Sequence, residues 1–188
     1  PAVGALVKAL SEGEKWNFIS CEMFADTEDE HTEVVPTLID ALKEEYSNIR
    51  GSAAYALGEI GPDAVDAIPG LITALKDEYV NVRSAVTVAI GKIGPAAKLS
   101  IPALIETLND TDNNVQGGAA FALGEIGPEA KDAVPGLIKL LKDDHVIVRE
   151  KAAYALGKIG PRAKDAVSAL IETLKDKYGY ARKYAVWS

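Results

Sequence analysis

Cysteine is almost absent. Cys21 stands alone in 188 residues, so no internal disulfide can form and a reducing, cytoplasmic setting is expected. By itself it reads as a small buried hydrophobe and not as a nucleophile. Histidine is nearly as scarce: neither His31 nor His145 is followed by Glu, so the His-Glu pairing of helical di-iron sites is missing and no metal or other cofactor is expected. Positive charge is also short, with 20 Lys and Arg against 28 Asp and Glu. The resulting net charge of -8 argues against a general grip on nucleic-acid phosphates or an anionic membrane. No apolar run approaches a bilayer's thickness, and no signal-peptide pattern is visible. The first residue is Pro1 and not Met, so a preceding segment is compatible with the sequence. Aromatic residues make up 6% of a chain that is 48% hydrophobic, a balance that suits closely packed helices better than strands with bulky side chains.

What the chain has in abundance is repetition. Ile-Gly-Pro recurs at Ile60-Gly61-Pro62, Ile93-Gly94-Pro95, Ile126-Gly127-Pro128 and Ile159-Gly160-Pro161, a step of 33 residues. A second proline keeps the same step at Pro36, Pro69, Pro102 and Pro135 until Ser168 replaces it. Within one unit, Leu71, Ile72 and Leu75 form one apolar stripe, and Val82, Val86, Ala89, Ile90 and Ile93 form another. Both have helical spacing, so each unit holds two helices joined by a polar turn such as Lys76-Asp77-Glu78-Tyr79. Gly94 is placed to end one helix and Pro95 to open the next. Pro69 falls about two turns after Pro62, where it is expected to remove a hydrogen bond and kink the first helix of the unit.

The expected organisation is one solenoid. An atypical helical repeat or cap spans 1–35, complete repeats span 36–68, 69–101, 102–134 and 135–167, and a partial repeat spans 168–188. The last stops in mid-helix by its alignment with earlier units, which makes a longer array plausible at either end. The short acidic stretch from Asp26 to Glu33 reads as a solvated turn between units.

The stretch Arg50-Gly51-Ser52-Ala53-Ala54-Tyr55-Ala56-Leu57-Gly58-Glu59-Ile60-Gly61-Pro62 resembles a HEAT repeat of the short bacterial type found in phycobilin lyase subunits. The resemblance covers 36–188. It implies an all-α fold, a right-handed alpha-alpha superhelix of two-helix repeats, and says little of function, since solenoids of this kind serve many roles.

Paired charges are the first candidates for chemistry. Glu44, Asp77, Asp110, Asp143 and Asp176 lie six residues before Arg50, Arg83, Gln116, Arg149 and Arg182. A pair present in every unit reads as architecture, a hydrogen-bonded ladder between neighbours that weakens at the uncharged Gln116. Asp110-Thr111-Asp112-Asn113-Asn114 begins like a calcium loop, but Val115 stands where Gly is needed and Phe121 where a bidentate Glu is needed. No nucleophile elbow, phosphate loop or zincin pair occurs, and no catalytic residue is assigned.

One further column has a different character. Tyr55, Val88, Phe121, Tyr154 and Trp187 lie about 200° around the second helix from its core positions, on the side that HEAT geometry implies is the concave wall. Two readings stay open. The rings anchor a partner, or they lie flat across neighbouring small side chains as packing. Gly117-Gly118 beside Phe121 favours the first, because each costs a helix about 1 kcal/mol relative to Ala and a smooth floor for a partner backbone accounts for the cost. The next column alternates as Glu59, Lys92, Glu125 and Lys158, which leaves the wall near neutral. The expected function is therefore a scaffold that binds a protein or peptide, with no nucleic acid or membrane partner. The alternative is a phycobilin-lyase-like subunit holding a bilin or its acceptor protein.

Overall fold

A glycine that no other residue can replace without strain sits at every joint between repeats among the described residues. In the computed structural model, which describes residues 28–174 and the side chains of 34–174, Gly61 has φ 71° and ψ -137°. That region of backbone space is open essentially to glycine alone. Its N–H donates to the carbonyls of Leu57 and Gly58 and so ends the preceding helix. Gly94, Gly127 and Gly160 repeat the positive φ at 66°, 80° and 63°.

After each joint comes a 3-10 segment, at Gly61–Ala67, Gly94–Ser100, Gly127–Ala133 and Gly160–Ala166. The α-helices among the described residues are α1 (Glu28–Ala41), α2 (Ser47–Ile60), α3 (Ile68–Ala74), α4 (Val80–Ile93), α5 (Ile101–Thr107), α6 (Asn113–Ile126), α7 (Val134–Leu140), α8 (Val146–Ile159) and α9 (Val167–Thr173). Those residues contain no strand. From α2 onward the order is fixed: a long helix, a joint, a 3-10 turn and a short helix. Trp187 and Cys21 lie outside the described residues, as does most of the expected 1–35 unit and the end of the last one.

The expected proline kink is not how the first helix bends. The bend lies at Ala64, Ala97, Ala130 and Ala163, where ψ rises to between 18° and 23°. Pro69 stands in the first turn of α3, where a missing N–H breaks no hydrogen bond. Ser168 shows that the proline is dispensable, since α9 begins at the same point of its unit without one. The acidic stretch also differs from expectation: from Glu28 onward it is helical, within α1, and not a turn.

By packing, the chain divides into two compact units between Ile93 and Gly94. In the first unit α2 packs on α4, burying Ile49, Ala53 and Leu57 against Val82, Val86, Ala89 and Ile90. A Cβ on Gly58 would lie 2.8 Å from the Ala89 Cα, so glycine sets how closely these helices approach. In the second unit α6 packs on α8, with Val115, Ala119 and Leu123 against Val148, Ala152 and Leu156. There Gly124 meets Ala155 at 2.9 Å in the same way. Each fully buried Leu or Ile contributes about 1.5–3 kcal/mol, so Leu57, Ile90, Leu123 and Leu156 make these paired helices a substantial part of the stability.

By length and composition, the helical run Val80–Thr107 matches a membrane span. Gly94 breaks it into a 14-residue and a 7-residue α-helix with a 3-10 turn between them, and both bury apolar faces.

Candidate functional site

The turn between the two helices of a unit is built by its acidic residue. Asp77 Oδ1 accepts the Tyr79 N–H at 2.9 Å, Asp110 Oδ1 that of Asp112 at 2.9 Å, and Asp143 Oδ1 that of His145 at 2.8 Å. Asp112 in turn accepts from the N–H groups of Asn114 and Val115 and caps α6, so the calcium-like segment is a helix start.

The same Asp77 is reached by Arg50 from the preceding repeat, Nε to Oδ2 at 2.6 Å and Nη2 to Oδ1 at 3.0 Å. Arg50 also donates to the carbonyls of Glu44 and Glu45. Both side chains are nearly buried, at 11% and 8% exposure. Burial pushes the Asp77 carboxyl upward, but the Arg50 and Tyr79 hydrogen bonds outweigh it and hold the group below its usual range. Arg83 and Arg149 make the equivalent carbonyl bonds, to Asp77 and Asp143 at 2.9 Å each. Gln116 cannot reach as far and turns its amide to the Leu108 carbonyl at 2.9 Å.

On the long helices a second set of residues faces solvent. In the first unit Tyr55 is 37% and Val88 36% exposed. Glu59 receives the Lys92 ammonium from the next repeat and the Tyr55 hydroxyl, and together they hold its carboxyl below the usual range against the opposing effect of burial. Lys92 also stands 5.3 Å from the Tyr55 ring centroid.

In the second unit Phe121 and Tyr154 are half-buried and stacked, centroids 5.6 Å apart and planes inclined by 19°. The Tyr154 hydroxyl donates to Glu125, and Lys158 lies 3.7 Å from the same carboxylate. Lys158 stands over the Tyr154 ring and Lys151 over the Phe121 ring, at 5.5 and 5.2 Å. The rings are therefore both exposed on one side and packed on the other.

Gly117 departs from the open floor expected of it. It is buried, and the position of its missing Cβ is covered by Ile147 Cγ2 at 3.5 Å and Lys151 Cγ at 3.6 Å. A neighbour's side chains occupy the space that a partner backbone was expected to use. Gly118 remains half-exposed. Sequence reasoning missed Ile147 and Lys151, although their spacing of seven and three residues before Tyr154 puts them on its helical stripe.

Among curated proteins none matches this chain. Solved structures do. An engineered protein superposes with a TM-score of 0.73 at 24% identity, covering 100% of this chain and 94% of that one. A designed armadillo repeat protein in complex with the peptide (KR)4 superposes at 0.74 with 16% identity, covering 98% and 97%. These likenesses show an alpha-alpha solenoid. The family model for HEAT repeats matches residues 35–101 and 101–188, and the chain belongs to that family.

Proposed function

We propose that this chain is a non-catalytic scaffold that binds a protein segment on the exposed side of its long helices. The observation that carries the reading is the Phe121–Tyr154 stack: two half-buried rings from adjacent repeats, held in place by Glu125 and two lysines, present rigid aromatic surface at little entropic cost. Tyr55 and Val88 offer a comparable exposed surface in the first unit. The designed armadillo relative, which carries a peptide on a solenoid of the same architecture, supports the same reading. The lone Cys21 suits a cytoplasmic setting.

The likeness to phycobilin lyase subunits supplies the second reading. It rests on residues such as Gly61 and Pro62, which build joints, so it carries no ligand chemistry of its own.

Peptide display selection against the chain, repeated with the Phe121→Ala/Tyr154→Ala variant, tests the proposal. Selected peptides are expected to bind the native chain and to lose about tenfold or more in affinity for the variant, provided the variant still melts cooperatively. Equal affinity for both would remove the aromatic pair from the function.

A further inference from the structure

The α8 stripe of the second unit reads Ile147, Lys151, Tyr154 and Lys158, at helical positions that share one face. Its two lysines are in different situations. Lys158 shares the Glu125 carboxylate with the Tyr154 hydroxyl. Lys151 is half-buried, and among the described residues its ammonium meets the Phe121 ring and no carboxylate. Its sequence neighbour Glu150 projects about 100° further around the helix. The α6–α8 face thus carries one negative and two positive groups inside a chain of net charge -8.

Lys151 is also held. Its stem lies across Gly117, 3.6 Å from where a Cβ would be, and its head stands 5.2 Å from the Phe121 centroid. A lysine lying along a glycine and under no carboxylate loses less rotamer freedom on pairing than a free surface lysine does. Beside it Ile147 is 40% exposed, an apolar surface one helical turn away. Cation, ring and aliphatic group stand side by side.

Resting on the scaffold reading above, we propose that this face selects an acidic, aliphatic protein segment. A partner carboxylate pairs with Lys151 while an adjacent Leu-like side chain packs on Ile147 and the Phe121–Tyr154 stack. The complementarity is local and opposite in sign to the net charge of the whole chain.

The test uses three synthetic peptides of equal length, alternating Glu and Leu, Gln and Leu, or Lys and Leu, titrated against the native chain and the Lys151→Gln, Lys151→Glu and Lys139→Glu variants. Lys139 is an exposed lysine of α7, and its variant matches the net charge change of Lys151→Glu. The Glu/Leu peptide is expected to bind most tightly. Lys151→Gln should weaken it severalfold and Lys151→Glu about tenfold, with Lys139→Glu nearly neutral and all melting curves cooperative. Tighter binding of the Lys/Leu peptide, equal effects of the two Glu variants, or no binding of the Glu/Leu peptide would each overturn this assignment. In those cases the display selection decides the scaffold reading separately, because it does not presuppose the sign of the ligand.

Discussion

Arg50 holds Asp77 of the following repeat through two parallel hydrogen bonds, 2.6 and 3.0 Å long, with both groups nearly out of solvent. Removing the arginine leaves a carboxylate that is desolvated and bonded only to its own turn. Arg50→Ala is expected to lower stability by about 2–3 kcal/mol at neutral pH, read by chemical denaturation. Arg50→Lys should recover little of the loss, because one ammonium cannot reproduce the fork.

The pH dependence has a definite sign. Asp77 is held below its usual range in the folded chain, so its pairing stabilises fully above the unfolded value of about 3.9 and is lost as pH falls through the lower folded value. The stability difference between the native chain and Arg50→Ala should therefore be flat from neutral pH to about pH 5 and shrink below about pH 4. A difference that grew on acidification would contradict the pairing.

Two classes of helix glycine are expected to respond oppositely to alanine. Gly58→Ala and Gly124→Ala drive a Cβ to within 2.8 and 2.9 Å of a facing backbone carbon and should cost about 1–3 kcal/mol. Gly117→Ala meets only side-chain atoms, Ile147 Cγ2 at 3.5 Å and Lys151 Cγ at 3.6 Å, and a backbone oxygen at 4.0 Å. It should raise the melting temperature through a helix propensity gain of up to about 1 kcal/mol.

Phe121→Ala should fall between the surface and core cases. The ring is half-buried and loses a stacked partner, so a cost of about 1–2 kcal/mol is expected by thermal melting, below the roughly 3–5 kcal/mol of a core phenylalanine.

Pro69→Ser should cost less than about 1 kcal/mol, since Ser168 occupies the same place in α9 without changing where that helix begins. A loss near 3 kcal/mol would restore the proline as the cause of the bend.

The joints were legible from sequence because their causes are local: Ile-Gly-Pro states both the positive φ and the missing N–H within three residues. The bend at Ala64 was not, because alanine carries no signal for a ψ near 19° and the nearby proline offered a more obvious cause. Gly58 recurs as Gly91, Gly124 and Gly157, whereas the column of Gly117 reads Gly51, Ser84 and Glu150 in the other units, so the repeat sets the two glycines apart without giving the reason. What separates them is the residue across the interface, Ala89 backbone for one and the Ile147 and Lys151 side chains for the other. Lys151 is not legible in the repeat pattern, because the earlier units place Ser52, Ala85 and Gly118 in its column.

The glycine joints bear on how such a chain can change length. The bonds that close each joint lie within its own few residues: the Gly61 N–H reaches Leu57 and Gly58, and the Ile68 N–H reaches Val65. A tandem duplication or deletion of one 33-residue stretch in register, with its ends at two joints, brings together sequences that already close in this way. The new junction needs no adaptive substitution to form, and only the side chains that meet across it have to be refitted. Array length is thus a quantity on which inheritance can act in single steps, each yielding a foldable chain.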